Sequence, residues 1–137
     1  MTSPQEVLAG VPLFSVLPKQ EVAKLARKAN ELTVPAGTVV TDVDRAGVSF
    51  GVIVDGHAAV SVHGQPVRVL GPGDYFGEMA LIYQPSRHSS AKITAKTELR
   101  CLMFAKWDFR PFAMSHPQTV WALLEMMAQR VRDAENR

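Results

Sequence analysis

The residues best suited to chemistry lie between Gly71 and Arg87. A Gly71-Pro72-Gly73-Asp74 turn releases a short strand. A tight Phe76-Gly77-Glu78 corner then opens one apolar helical turn that runs to Tyr83, and Arg87 follows Glu78 by nine positions. That layout suits an anion. Backbone N–H groups at a helix start attract phosphate. Gly77 has no Cβ and lets the backbone come close. Arg87 offers a planar fork of donors whose charge cannot be titrated away. Glu78 would repel a phosphate, but it suits a hydroxyl donor such as a ribose 2′-OH. A ligand that carries both groups in this geometry is a nucleotide.

The elements that must position this segment follow from patterning. Ser3-Pro4-Gln5-Glu6 reads as a helix start, with an N-cap serine, proline at the first helical position and glutamate at N3. This helix should end near Gly10. A second helix fits Pro18 to about Ala29, with Leu17, Val22, Leu25 and Ala26 near one face. From about Leu32 to Met103 short β-branched runs are broken by Gly, Pro and Asp, as in a sandwich or barrel. Val60 to Val62 and Val67 to Val69 alternate around His63-Gly64-Gln65-Pro66, the pattern of a hairpin. Ala91, Ile93 and Ala95 alternate with polar residues and should face inward. Ser115-His116-Pro117-Gln118 has a capping-box pattern. Behind it Val120, Leu124, Met127 and Val131 form one stripe at helical spacing, read first as a packing face against the roll or a partner helix. The economical fold is a β-roll flanked by helices.

At 137 residues the chain is long enough for one domain with a real core. The expected division is residues 1–31 for N-terminal helices, 32–104 for the roll, with a ligand cassette at 75–93, and 105–137 for C-terminal helices. No apolar run approaches the roughly 20 residues needed to span a bilayer, and the N-terminus lacks the pattern of a secretory signal. A single cysteine, Cys101, cannot form an internal disulfide, and its apolar neighbours predict a buried thiol. A cytoplasmic location is the expectation. A net charge of +2 without a basic run gives little support to nucleic-acid binding.

Phe76-Gly77-Glu78-Met79-Ala80-Leu81 with Arg87 resembles the phosphate-binding cassette of cyclic nucleotide-binding domains. Val11 to Phe14, Leu17-Pro18, Pro35 to Val40, Ile53 to Gly56 and Leu70 to Asp74 fall in that family's order, so the resemblance covers nearly the whole chain. It implies a mainly β fold with flanking helices: a double-stranded β-helix, or jelly-roll-like β-roll, with an N-terminal helical bundle and a C-terminal lid helix. It implies a stand-alone regulatory or sensor module whose ligand is cAMP, with cGMP behind it, and which needs no further cofactor. The implied ligand-binding residues are Phe76, Gly77, Glu78, Met79, Ala80, Arg87, His88, Ser89 and Ser90. Trp121 or Leu124 would cap the base from the last helix.

Two segments depart from the family pattern. After Arg87 the family usually has a small residue, Ala and Ser/Thr before the next strand. Here the run is His88-Ser89-Ser90-Ala91-Lys92-Ile93, two residues longer if Ile93 starts the strand. Ser89 and Ser90 are then either replacement hydroxyl donors or polar turn residues. At Thr41 to Gly47, valine stands where a turn glycine is usual, so this turn should have another shape.

The bland alternatives are a solvated Arg87, a Glu78 that only complements a helix dipole, and packing roles for Trp107 and Phe109. His57 and His63 invite comparison with cupin metal sites, but no His-x-His pair occurs and no metal is expected. No spacing suggests a nucleophile with its base, so the chain is not expected to be an enzyme. Ending at Arg137, it has no room for a helix-turn-helix and should not bind DNA alone. A homodimer or an unknown effector protein is the expected partner besides the nucleotide. The runner-up is a degenerate domain that binds no nucleotide and serves interaction or dimerisation.

Overall fold

The computed structural model describes residues 3–40, 50–77, 91–104 and 106–136, with the backbone alone described at 91 and 106–110. Three helices open the chain: α1 (Pro4–Ala9), α2 (Pro12–Ser15) and α3 (Lys19–Lys28). Ser3 caps α1 as its sequence predicts, its hydroxyl accepting from the Glu6 N–H at 3.2 Å. The α2 turn was not foreseen. Four residues are too few for helical periodicity to show, and Pro12 at its first position is the only local signal.

Among the described residues seven strands follow: β1 (Asn30–Val34), β2 (Phe50–Asp55), β3 (Ala58–Val62), β4 (Gln65–Leu70), β5 (Tyr75–Phe76), β6 (Ala91–Ala95) and β7 (Leu99–Phe104). They form two antiparallel sheets, ordered β1-β7-β2-β5 and β4-β3-β6, and neither closes on itself. Helices α4 (Lys106–Ser115) and α5 (Pro117–Glu135) complete the chain. This is the expected mainly β roll with flanking helices. No described helix is long and apolar enough to cross a membrane.

Strand β2 explains the architecture. Phe50 to Val54 are all buried, because both faces of the strand are covered. Phe50, Val52 and Val54 join Leu102, Phe104 and the helical residues Leu8, Phe14 and Leu25 in one core. Ile53 points the other way, into a second core with Val60, Leu70, Phe76, Ile93, Leu99 and Cys101 inside the roll. Period-two alternation assigns the two sets. Cys101 is fully buried, as expected, and burial pushes its thiol up to about 11. Across the four-stranded sheet, Arg100 on β7 bonds Glu31 on β1 and reaches Asp55 on β2 at 3.4 Å.

Three expectations need correction. The β3–β4 hairpin turns on His63 and Gly64 alone, both at positive φ (52° and 80°). Gln65 and Pro66 belong to β4, because a two-residue turn with two left-handed residues matches the strand twist. The N-cap of α5 is His116, not Ser115, and no side chain caps it; α4 runs on to Ser115, and Pro117 takes the first position of α5. The third concerns the packing face of α5. It is Thr119, Ala122, Leu123 and Met126, which join the helical core. The stripe of Val120, Leu124 and Val131 is 42%, 54% and 57% exposed, and only Met127 in it is half-buried. Both stripes are apolar at helical spacing, so the pattern could not say which one faces inward. Ile93 and Ala95 do face the roll interior.

Candidate functional site

The approach to the cassette is built from β2 outward. The Gly71–Asp74 turn closes through the Asp74 N–H donating to the Gly71 carbonyl at 3.0 Å. The Gly71 N–H donates to the Asp74 carboxylate at 2.8 Å. Two further bonds stitch this turn to β2: Gly73 N–H to the Ile53 carbonyl at 2.8 Å, and Ile53 N–H to the Asp74 carbonyl at 2.9 Å. The strand β5 that follows is only two residues long, yet it pairs in register, Val52 with Tyr75 and Gly51 with Phe76.

Its two side chains go to opposite cores. Phe76 is buried inside the roll and lies across Gly51. A Cβ on Gly51 would sit 2.3 Å from the Phe76 ring, so only glycine allows this seat. Tyr75 faces the helices. Its ring stacks on Phe50 at 5.9 Å, and the Arg130 guanidinium stands over it at 5.3 Å. The next residue, Gly77, has φ +83°, a left-handed conformation that strongly favours glycine. The chain therefore makes its sharp corner where the sequence places the start of the cassette, and the residue before that corner is anchored in the core.

Phe76 and Gly77 are thus placed. Glu78, Met79, Ala80, Arg87, His88, Ser89 and Ser90 lie outside the described residues, as do the apolar turn to Tyr83 and the Thr41–Gly47 turn. The side chains of Trp107 and Phe109 lie outside them too. Trp121 and Leu124 stand on the outer face of α5, 66% and 54% exposed. Among the described residues no group of three or more His, Cys, Asp or Glu is placed to hold a metal ion; His57 and His63 are both exposed.

Sequence reasoning missed Gly51, Tyr75 and Arg130. Gly51 did carry a signal: a lone glycine inside the apolar run Phe50 to Val54 marks a close approach of another group. Tyr75 and Arg130 are 55 positions apart, and nothing local pairs them.

Residues 31–116 match the family model of the cyclic nucleotide-binding domain. A cyclic nucleotide-gated potassium channel of Rhizobium etli is 35% identical over 113 residues, covering 82% of this chain and 31% of the channel. A cAMP-dependent protein kinase regulatory subunit of Schizosaccharomyces pombe is 38% identical over 106 residues, covering 77% of this chain and 25% of the subunit. The chain therefore spans a third or less of these relatives' length. Among solved structures, the cAMP-bound PfPKA-R (141-441) superposes with a TM-score of 0.77 at 20% identity, covering 96% of this chain and 44% of the other; that likeness is one of fold. With a matched stretch that runs from Glu31 of β1 past β7 and includes the corner at Gly77, this chain belongs to the cyclic nucleotide-binding domain family.

Proposed function

We propose that this chain is a regulatory module that binds cAMP, with cGMP as the weaker ligand. The observation that carries the reading is the corner at Gly77. Phe76, seated on Gly51, fixes the point at which the backbone turns left-handed into the segment bearing Glu78 and Arg87. Arg87 would take the phosphate, the amides after Gly77 would add donors, and Glu78 would accept the ribose hydroxyl. Met79, Ala80, His88, Ser89 and Ser90 complete the proposed lining. The relatives support the choice of ligand, one being a cAMP-dependent kinase regulatory subunit and one solved structure being cAMP-bound.

In this reading binding shifts a population rather than catalysing a reaction, and no further cofactor takes part. Ligand settles the cassette, and α5 closes Trp121 or Leu124 over the base, passing the signal to an effector. A cytoplasmic location accompanies it, consistent with a lone cysteine held as a buried thiol. Calorimetric titration of nucleotide-free protein with cAMP and cGMP is the test. Saturable one-site binding with cAMP the tighter is expected, and no heat of binding from either overturns the reading.

One observation favours a second reading. The outer face of α5 presents Val120, Trp121, Leu124 and Val131 together. An apolar strip of that kind marks an interaction surface in many proteins, and a domain that binds no nucleotide would use it for dimerisation or for an effector. A silent calorimetric titration together with a concentration-dependent dimer in sedimentation would select this reading.

A further inference from the structure

Arg68 lies where an arginine seldom goes, on the inner face of the three-stranded sheet. The register fixes its side. Directly paired residues of an antiparallel ladder put their side chains on the same face. Arg68 pairs with Val60, which pairs in turn with Ile93. Val60 and Ile93 are 3% and 4% exposed and lie in the core inside the roll. The alternation along β4 agrees. Leu70 is buried, Val69 is 54% exposed on the outer face, and Arg68 is half-buried with its Nε shielded from solvent. Ala58, Leu70 and Ala95 of the same inner face are buried and apolar, like Val60 and Ile93. Bringing a guanidinium into such surroundings costs free energy unless polar groups meet it.

The position bears on the candidate site. Leu70 of β4 and Phe76 of β5 share the roll core, and the Gly71–Asp74 turn between them is bonded to Ile53 of β2. Arg68 comes just before that turn, and the Gly77 corner just after it. In the function proposed above, the phosphate goes to the cassette after Gly77 and the ribose hydroxyl to Glu78. The edge of the base is then the part of the ligand still to be recognised. A guanidinium has donors only, five of them in a planar fork. It can keep a protein contact and still offer two parallel N–H groups. Guanine presents two adjacent acceptors, O6 and N7, to such a fork, whereas adenine presents N7 beside an amino donor.

We propose that Arg68 is the specificity-determining residue of the site, its fork donating to O6 and N7 of a guanine held in the roll. The inference rests on the cyclic nucleotide reading and adds to it the residue that governs ligand choice. Arg68 strengthens cGMP and contributes little to cAMP, so it narrows the gap between the two ligands. Pairing with the phosphate is the competing role for an arginine. It has a different consequence, because both ligands carry the same phosphate.

Calorimetric titration of the full chain with cAMP, cGMP and cIMP tests the assignment. Hypoxanthine keeps O6 and N7 but lacks the amino group of guanine, so cIMP probes the fork alone. Arg68→Met keeps an unbranched stem. It should weaken cGMP and cIMP alike, about five- to 150-fold, the range for one bidentate base contact, without weakening cAMP. The unweakened cAMP binding also shows that the variant folds. Arg68→Lys keeps the charge but not the fork, and its ratio of cGMP to cAMP affinity should fall most of the way to that of Arg68→Met. Equal losses for all three ligands in both variants overturn the inference in favour of the phosphate. A cGMP loss that cIMP does not share overturns it as well, and so does a wild-type affinity ratio in Arg68→Lys. Binding with unchanged ratios in both variants overturns this inference alone, whereas no binding of any of the three to wild type overturns it together with the cyclic nucleotide reading.

Discussion

The Arg130 guanidinium on α5 lies 5.3 Å from the centre of the Tyr75 ring on β5, and that ring stacks in turn on Phe50 of β2. The strand leading into the Gly77 corner is thereby tied to the helix proposed to move. A cation over an aromatic face contributes about 0.5–2 kcal/mol, depending on its exposure. A double-mutant cycle with Tyr75→Leu and Arg130→Met, read by urea unfolding, should give a coupling of about 0.5–1 kcal/mol. Zero coupling would mean that the Tyr75–Arg130 contact contributes nothing to holding α5.

Gly51→Ala should destabilise the roll and disturb the cassette together. The added methyl would meet the Phe76 ring at 2.3 Å, and that ring is buried with Ile53, Leu70 and Cys101 around it. Overpacking of this kind costs about 1–3 kcal/mol. Phe76→Leu in the same chain should recover part of the loss by making room. A Gly51→Ala urea midpoint equal to wild type would show that the ring does not rest on Gly51.

The fold could be read from the sequence because its signals were local and redundant. Ser3 with Pro4 and Glu6 forms an N-terminus from four adjacent residues, and Ile93 and Ala95 alternate within one strand. Of the candidate site, the sequence marked the corner that the backbone makes at Gly77; Glu78 and Arg87 lie outside the described residues, and their roles belong to the proposal. What could not be read depended on contacts distant in the chain. Val120 and Leu123 are equally apolar, and only the arrival of Phe14 and its neighbours from the N-terminal helices decides that Leu123 is buried and Val120 is not. The cap of α5 was misread for a related reason. Ser115 has the right chemistry for an N-cap, but α4 continues through it and Pro117 sets the start of the next helix. The Tyr75–Arg130 contact had no sequence signal at all.

Arg87→Ala should weaken cAMP binding about ten- to 150-fold, the loss of one charged hydrogen-bonded contact of about 1.5–3 kcal/mol. Glu78→Gln should weaken cAMP as well but leave the affinity of its 2′-deoxy analogue unchanged, since that ligand lacks the hydroxyl the carboxylate accepts. Titration calorimetry with the two ligands separates these roles. Wild-type affinity in Arg87→Ala would place the arginine outside the site, as the longer segment up to Ile93 would allow. Equal losses for both ligands in Glu78→Gln would make the glutamate a support of the cassette fold.

Cys101 should make the protein alkali-sensitive. Burial raises its thiol to about 11, whereas an unfolded chain ionises its thiol near pH 8.5. The folded state thus keeps its proton after the unfolded state has lost it. This contribution to stability is complete below about pH 8.5 and is lost as pH rises towards 11, about 3 kcal/mol in all. Urea unfolding from pH 8 to 10.5 should show a steeper decline in wild type than in Cys101→Ala. Parallel declines would assign the alkaline loss to other groups. Thiol-directed reagents at pH 8 should likewise react only as fast as the roll opens.

Trp121 should report closure of α5. Its side chain is 66% exposed, so its emission should lie near that of indole in water. In a Trp107→Phe background it is the sole tryptophan. A purine brought against it would quench the emission and exclude water, and hydrogen exchange across residues 119–131 would slow at the same time. Both changes should saturate at the cAMP concentration that saturates the calorimetric signal. Leu124→Ala should leave the quenching in place if Trp121 is the cap, and should weaken affinity without changing emission if Leu124 is. Saturable binding with unchanged emission and unchanged exchange would make α5 a fixed wall of the helical core, with Thr119, Ala122, Leu123 and Met126 holding it in both states.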